Sequence, residues 1–539
     1  MAPAHTYGVI VIGVQGRVIE VEADLAAGLP GITIVGLADT AIRESRDRAR
    51  TAIANSGCKW PQRRITVGLS PAALNKTGAG LDLAIALAVL ATDGQLPVVD
   101  ASSLVCMGEL SLDGRVRPVR GVLAAAFAAR RSGHRRFVVA LANRSEAELV
   151  PDLEVIAVSC LRELVCRLRG EPYDAEDDLS VTGADADRLT SHAAAPRSGG
   201  AGPADPVVSL IHRAGRPPLD LADVRGQVVA RKCLEVAAAG GHHLALIGPP
   251  GVGKTMLAER LPGLLPALDQ QAALEVTSVL SVTGRLRPGQ GLVTTPPFVA
   301  PHHTATHAAV IGGGSGVAQA GLVSLAHRGV LFLDEAPEFD MRVLDSLRQP
   351  LESGEVVVAR SGATVRYPAR FQLVLAANPC PCGQATGKGD RCTCSRLQQR
   401  KYLSKLSGPL LDRVDIRVTL ERPSVADLAF GSGPSESTGA VVERVAAARE
   451  RSRARLGGTP WESNAQVPGP VLRKTWPMSS DVEAPLLRAV ADGRLSARGL
   501  DRVLRVAWTC ADLAGRDRPT HDEVGSALLF RDGGAAWAA

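Results

Sequence analysis

Residues 248–255 read Gly248-Pro249-Pro250-Gly251-Val252-Gly253-Lys254-Thr255. The apolar run Leu244–Ile247 precedes them and the helix-like Met256–Arg260 follows. Strand, glycine-rich loop and helix in this order predict a phosphate-binding loop. Glycines let backbone N–H groups turn inward around phosphate oxygens without side-chain clashes. Lys254 adds a mobile positive charge for the β- and γ-phosphates, and the Thr255 hydroxyl suits Mg²⁺. The N-terminal end of the following helix adds its dipole. A chance glycine-rich turn is the competing explanation, and a second motif weakens it. Val330-Leu-Phe-Leu-Asp334-Glu335 is an apolar strand ending in two carboxylates. Asp334 is placed to hold Mg²⁺ through water, and Glu335 to orient and polarise an attacking water. A strand tip delivers both at the carboxyl edge of a sheet, beside the P-loop strand.

Two more positions extend this constellation. Phe371–Ala377 is another apolar strand, ending in Asn378. In such ATPases a polar residue there contacts the γ-phosphate or the attacking water; a lone strand-end Asn is otherwise a turn former. Gly408-Pro-Leu-Leu-Asp412-Arg413-Val-Asp415 presents an arginine at a helix-to-strand junction. It suits an arginine finger reaching a neighbouring subunit's γ-phosphate. A salt bridge to Asp412 or Asp415 is the alternative.

The 539 residues suggest three or four domains of about 150 residues each. A charged content of 22% with 45% hydrophobic residues is an ordinary soluble balance. The net charge of +6 permits a polyanionic partner without requiring one. Aromatic residues, at 3%, are too few for a broad base-stacking platform, so any nucleic acid is expected to be held by backbone contacts. No apolar run reaches the roughly 18 residues of a membrane span. The best, Leu83–Ala91, lies between Asp82 and Asp93 and predicts a buried helix. No lysine or arginine precedes Arg17, which argues against a secretory signal. Ten cysteines in that context point to reduced thiols or metal ligands, and to a cytoplasmic protein.

Residues 1–169 form the first expected domain, a mixed α/β unit. Its strands are Val9–Val14, Ile32–Val35, Ile65–Val67 and Phe137–Leu141; its helices include Leu83–Ala91 and Val122–Ala129. Residues 170–206 are rich in acidic residues, Ser, Gly, Pro and Ala, and predict a flexible linker. Order resumes at Asp220–Lys232, within an ATPase core over 207–422. A second polar patch, Gly431–Gly439, opens a helical C-terminal part over 423–539, whose clearest helices are Val441–Leu456 and Leu500–Ala514.

With these motifs the chain resembles the Mg-chelatase-like AAA+ family of YifB and ComM. The resemblance rests on Asp223-Val-Arg-Gly-Gln227, the P-loop with Met256-Leu257, and Ala300-Pro-His-His-Thr304. It continues through Gly312-Gly-Gly314, Ser324–His327, Pro337–Phe339, Asn378-Pro-Cys-Pro-Cys-Gly383, Ser407–Asp415 and Ser496–Leu513. It covers the whole chain apart from the linker. It implies an α/β fold: an AAA+ P-loop core with an α-helical lid, preceded by a domain like the Lon protease C-terminal domain (ribosomal S5 domain 2-like). It further implies a helix-2 insertion within 276–325. A pre-sensor-1 hairpin is implied at Val356–Val358 and Thr364–Tyr367, turning near Ser361-Gly362; both features would face the pore of a hexamer. Asn378 would be sensor 1, Arg413 the finger and Arg498 the sensor-2 arginine, with Arg502 and Arg505 as alternates. In the Lon-like domain, Gly80 and Gly121 stand where a catalytic serine and lysine are expected, so proteolysis is not expected. A rim that guides DNA or aids assembly is the role foreseen for it.

Cys380, Cys382, Cys392 and Cys394 form a tetracysteine set suited to tetrahedral Zn²⁺, with reduced surface cysteines as the alternative. Lys388, Arg391, Arg396, Arg400, Lys401 and Lys405 crowd the same stretch, either as phosphate contacts or as a solvated helix face. His302, His303, His307 and His327 form a loose group for which structural hydrogen bonding is favoured over a metal. The functional expectation is an ATP- and Mg²⁺-dependent ring motor moving on DNA, in helicase or branch-migration work. A Mg-chelatase-type ATPase subunit remodelling a partner enzyme is the second reading.

Overall fold

Alternating apolar and acidic residues build the first sheet. The computed structural model describes residues 4–174, 219–314, 318–360, 363–385, 392–422 and 436–532. Strand β1 (Ala4–Ile12) pairs antiparallel with β2 (Gln15–Ala26). In β2, Ile19, Val21 and Ala23 are buried while Glu20, Glu22 and Asp24 face solvent, the period of two that a half-covered strand requires. The strand expected over Val9–Val14 ends earlier: Ile12 sits opposite Gln15, and Gly13, at φ +64°, turns the chain.

The other main elements of this body, short turns and a two-residue hairpin aside, are β3 (Gly31–Val35), α1 (Thr40–Asn55), β4 (Arg64–Ser70), α2 (Asp82–Thr92), β5 (Leu104–Met107), α3 (Val122–Arg131), β6 (Arg136–Ala140), β7 (Glu154–Val158) and α4 (Leu161–Arg169). The seven strands lie in the order β3-β4-β2-β1-β5-β6-β7. Neighbours on β1 serve opposite faces. Ile10 packs with Ile19, Leu83 and Leu87, and Val9 packs with Val105, Val122 and Phe137. Helix α2 is apolar all round after its first residue, and all its side chains are buried. Asp82, fully buried in its first turn, takes hydrogen bonds from Arg48 Nε (2.7 Å), Arg48 Nη2 (3.0 Å) and the Leu110 amide (3.1 Å), so this buried charge is paired. Gly170, at φ +72°, closes α4. Of the expected linker, 175–206 lies outside the described residues.

The second body starts with α5 (Val228–Gly240) and continues through β8 (Leu244–Ile247), α6 (Lys254–Leu264), α7 (Gln270–Val282) and β9 (Phe298–Val299). A small hairpin follows, β10 (Gly312–Gly313) with β11 (Gln319–Ala320), its tip outside the described residues. Then come β12 (Val330–Leu333), the hairpin β13 (Glu355–Arg360) and β14 (Ala363–Pro368), β15 (Gln372–Ala377), α8 (Arg396–Leu403) and β16 (Ile416–Thr419). Five strands form a parallel sheet in the order β9-β12-β15-β8-β16. Near-continuous apolar strands are what burial on both faces demands. Leu244 and Leu246 of β8 point into one core, Ala245 and Ile247 into the other.

Within 276–325, where an insertion was expected, the end of α7 and strand β9 belong to the core layers; the β10–β11 hairpin stands apart from the five-stranded sheet. The hairpin expected at Val356–Val358 and Thr364–Tyr367 is β13–β14, with Val356 opposite Tyr367 and Val358 opposite Val365. Its turn, Ser361-Gly362, lies outside the described residues. Tyr367 donates to the Ala318 carbonyl (2.6 Å), tying the two hairpins together. The Gly13 turn of the first body presses on the same place: a Cβ there would stand 2.8 Å from Val365 Cγ1. The bodies also meet where Gly121, at the start of α3, faces Val282, and where Glu146 accepts from Ser281.

The longer C-terminal helices are α9 (Thr438–Leu456), α10 (Ser480–Ala491), α11 (Ala497–Ala514) and α12 (His521–Asp532). Of the polar patch Gly431–Gly439, residues 431–435 lie outside the described residues, while Ser437 caps α9 and Thr438-Gly439 begin it. Helix α11 buries Leu500, Val503, Leu504 and Trp508 against α5 and α9 in one core. No helix among the described residues is long and apolar enough to cross a membrane.

Glu275 on α7 pins the entry to β12. It accepts from His327 Nε2 and Arg328 Nε, both at 2.9 Å. The Arg370 amide donates to His327 Nδ1 (3.0 Å), which leaves the proton on Nε2. The His327 bond pulls the Glu275 carboxyl down, burial opposes it and Arg328 adds to the pull, leaving it at about 2 against an ordinary 4.5. A lowered carboxyl stabilises the fold above its unfolded value, and that stability disappears as pH falls through the folded value. The gap in unfolding free energy between wild type and Glu275→Gln is therefore expected to hold steady above about pH 4.5 and to close as the pH falls toward 2. Urea titrations across that range measure it; a gap independent of pH would refute the pairing.

Candidate nucleotide site

Because β15 lies between β8 and β12, three strand ends converge. Ile247 pairs with Ala377, and Leu333 with Leu375. The P-loop, Asn378 and Asp334-Glu335 follow those residues, so the topology alone brings them to one edge. Gly251 (φ +79°) and Gly253 (φ +94°) adopt the left-handed conformation, and a Cβ on Gly251 would meet nothing within 4 Å. The loop thus opens onto free space at the N-terminus of α6. Gly248 is needed for a different reason: a Cβ there would lie 2.9 Å from the Leu420 carbonyl oxygen.

Lys254, almost buried, donates to the carbonyls of Gly248 (2.6 Å) and Pro249 (3.0 Å) and to Asn378 Oδ1 (3.0 Å). Burial lowers its ammonium from the usual lysine range, against the opposing charges of Asp334 and Glu335. The Thr255 hydroxyl donates to Asp334 Oδ2 (2.7 Å), and Asp334 Oδ1 accepts from the Glu335 amide (2.9 Å). Glu335 itself stands at φ +50°, a region non-glycine residues enter mostly where a site demands it. A hydroxyl, two carboxylates, an ammonium and an outward-facing glycine loop fit a polyphosphate carrying Mg²⁺. Val252 borders the same loop; its carbonyl accepts from Gln227 (3.4 Å), which also donates to the Glu421 carbonyl (2.7 Å).

One neighbour escaped the sequence reading. His303 Nδ1 lies 3.4 Å from Glu335 Oε2, and its ring packs on His302 with centroids 4.1 Å apart. The signal was the Ala300–Thr304 motif just beyond β9, but nothing in it named a partner. The four histidines do not gather: His327 is buried on Glu275, away from the His302–His303 pair, and no histidine joins a metal-ligand group among the described residues.

Arg413 follows a short helix, Gly408–Leu411, and leads into β16. It forms an ion pair with Glu352 and donates to the Pro409 carbonyl (2.5 Å). The alternative bridges to Asp412 or Asp415 do not form. Asp415 is fully buried between His242 (3.2 Å) and Arg502 (3.1 Å), and Asp412 lies 3.9 Å from Arg531. The three candidate arginines of α11 separate clearly. Arg502 holds Asp415, Arg505 donates to the Val467 carbonyl (2.6 Å), and Arg498 is exposed in the first turn with no partner among the described residues.

The four sulfurs of Cys380, Cys382, Cys392 and Cys394 lie within 4.8 Å of one another. Cys380 is fully buried, which removes the reading of all four as surface thiols. A backbone hydrogen bond from Gln384 lowers the Cys382 thiol, whereas burial raises Cys380. On α8 and just beyond it, Arg396, Arg400 and Lys401 are exposed and Lys405 lies 3.8 Å from Glu338; Lys388 and Arg391 fall outside the described residues. In the first body, Gly80 packs beside Met107 and Gly121 caps α3, so neither position offers a nucleophile or a base. Lys76 is buried and donates to the Pro71 carbonyl.

With this geometry in hand, known proteins give a context. Residues 220–428 match the family described as magnesium chelatase, subunit ChlI; 21–143 match subunit ChlI of Mg-chelatase, and 435–531 the ChlI C-terminal family. An uncharacterized protein of Mycobacterium tuberculosis is 50% identical over 99% of this chain and 100% of its own length. YifB of Escherichia coli, also uncharacterized, is 39% identical over 96% and 95%. Competence protein ComM of Haemophilus influenzae is 37% identical over 98% of both chains.

The different surroundings of the α11 arginines make a direct test. Arg502→Ala leaves Asp415 buried and half-paired, which should cost about 3 kcal/mol or more in unfolding free energy. Arg498→Ala should stay within about 0.5 kcal/mol of wild type, as surface changes do. Denaturant unfolding of both variants decides it; equal losses would mean that Arg498 is also a structural residue.

Proposed function

Because this chain belongs to the Mg-chelatase-like AAA+ ATPase family of YifB and ComM, we propose that it is a hexameric ring motor that hydrolyses ATP to move DNA. The observation carrying the catalytic half is the single sheet edge where Lys254 donates to Asn378 and Thr255 donates to Asp334. In this reading Gly248, Pro249, Pro250, Gly251, Val252 and Gly253 wrap the phosphates through their backbone, and Lys254 neutralises the transferred phosphoryl group. Thr255 and Asp334 hold Mg²⁺. Glu335 polarises the attacking water, with Asn378 positioning it. Arg413, once released from Glu352, reaches the neighbouring subunit's γ-phosphate as an arginine finger, and Arg498 serves as the sensor-2 arginine. ATP and Mg²⁺ are the cofactors, and Zn²⁺ is the ion of the four-cysteine cluster.

The DNA half rests on two hairpins beside the ATPase sheet and on the exposed Arg396, Arg400 and Lys401 of α8. Cations on one face supply a sequence-independent attraction to phosphates. Residues 1–169 would serve as a rim over the ring, 170–206 as a tether, 207–422 as the motor and 423–539 as its lid, in the cytoplasm. The competence role of the ComM relative supports work in recombination or DNA uptake, by helicase or branch-migration activity. The chelatase family description supports a second reading, an ATPase subunit that remodels a partner enzyme.

ATPase rates with single-stranded, duplex and four-way-junction DNA test both halves. DNA should raise the wild-type rate. Glu335→Gln should keep ATP binding and lose about 100-fold or more of turnover, the scale of a lost general base. Undiminished hydrolysis by Glu335→Gln would overturn its role. A basal rate indifferent to all three DNAs would turn the reading to the partner-remodelling alternative.

A further inference from the structure

The cysteine cluster is built into the wall of the nucleotide site. Cys380 comes two residues after Asn378, the acceptor of the Lys254 ammonium. The Gly383 amide donates to the Cys380 carbonyl (2.9 Å), closing a tight turn. Gly383 stands at φ +75°, and a Cβ there would lie 2.6 Å from Pro250 Cδ, so the turn rests directly on the P-loop. Gln384 accepts from Arg422 (3.0 Å), which ties the same turn to the end of β16. The other two thiols arrive from the far side. Cys392 and Cys394 lead into Ser395, whose capping box starts α8. Gln399 of α8 donates to the Cys394 carbonyl (3.2 Å) and to Cys392 Sγ (3.4 Å). Tyr402, on the same helix, is buried, and Lys405 just beyond it lies 3.8 Å from Glu338, just past the Asp334-Glu335 strand end.

Sulfur spacing selects the ligand. A Zn–S bond of about 2.3 Å sets tetrahedral S···S edges of about 3.8 Å. Cys380 lies 3.3 Å from Cys382 and 3.7 Å from Cys392, and Cys382 lies 3.7 Å from Cys392. An all-thiolate set of four favours a soft cation of the zinc class over Mg²⁺.

We propose that these four cysteines bind one zinc ion, and that the ion acts as a strut of the ATPase site, fixing Asn378 and bracing the P-loop at Pro250. The strut function rests on the ATPase reading; the metal site does not. Asn378, Pro250 and α8 belong to three separate segments, and the ion joins the first and third while the Gly383 turn presses on the second. Cys394 is the ligand most remote in sequence from Asn378, which makes it the informative one to remove. It has no place in the nucleotide site, and its effect on hydrolysis has to travel through the metal.

The experiment uses full-length protein purified without added metal. Zinc is counted by mass spectrometry and by its release to a colorimetric chelator when the thiols are capped with an organomercurial. Wild type should hold one zinc per chain. Cys394→Ser should lose it, and kcat should fall about tenfold, the scale on which groups supporting a site act. Binding of a fluorescent ATP analogue should change far less. Gly383→Ala keeps all four ligands; it should retain zinc yet raise KM for ATP, because its methyl group displaces Pro250. Wild type with no zinc and four freely reactive thiols would overturn the site. Zinc loss in Cys394→Ser at unchanged kcat, or wild-type kinetics in Gly383→Ala, would overturn the strut. Zinc at one per chain in a wild type that never hydrolyses ATP would sink the strut together with the ATPase reading, and leave the metal site standing.

Discussion

Everything at the nucleotide edge is organised around one buried ammonium. Lys254 lies in the first turn of α6 with almost no exposure, so its charge must be met by acceptors within the protein. It finds two P-loop carbonyls and Asn378. The first two come with the loop. The third exists because β15 pairs directly with β8, and from the next strand, β12, Asp334 reaches the same edge, 2.7 Å from Thr255. The apolar character of β8, β12 and β15 fits their place inside a parallel sheet covered on both faces.

Beyond the edge, the two bodies are held against each other by small residues. Gly13 lets the β1–β2 turn approach β14, Gly121 lets α3 approach α7, and the Glu146–Ser281 hydrogen bond closes the seam. The N-terminal body therefore rests on β14 and α7, and β14 is in turn bonded to the β10–β11 hairpin through Tyr367. The C-terminal helices are joined to the sheet by buried polar links rather than by apolar packing alone. Asp415, at the start of β16, is held by His242 on one side and by Arg502 of α11 on the other, and Arg531 of α12 donates to the Val414 carbonyl; between the helices themselves, Arg455 of α9 pairs with Asp512 of α11 while lying over the Trp508 ring. Such groups tolerate few arrangements, because each unpaired member would carry its full desolvation penalty.

Much of this was legible in the chain, for identifiable reasons. Leu244–Ile247, Val330–Leu333 and the run Leu373–Ala377 announce themselves because burial on both faces favours apolar residues throughout. Helix α2 was legible for the same reason. Strand β2 went unread although Val18–Asp24 alternates apolar and acidic residues, and that omission carried the expected first strand past Gly13. Contacts made across long sequence separations left no local trace. Nothing near Arg413 names Glu352, and nothing near Glu335 names His303. The α11 arginines look interchangeable in sequence; only the packing shows that Arg502 and Arg505 are already committed.

The pairing of Arg413 with Glu352 carries a consequence for assembly. A guanidinium that already holds a carboxylate cannot at the same moment neutralise a phosphate next door. In the proposed ring, whatever draws this arginine outward would have to compete with an internal counter-ion, exchanging one anion for another.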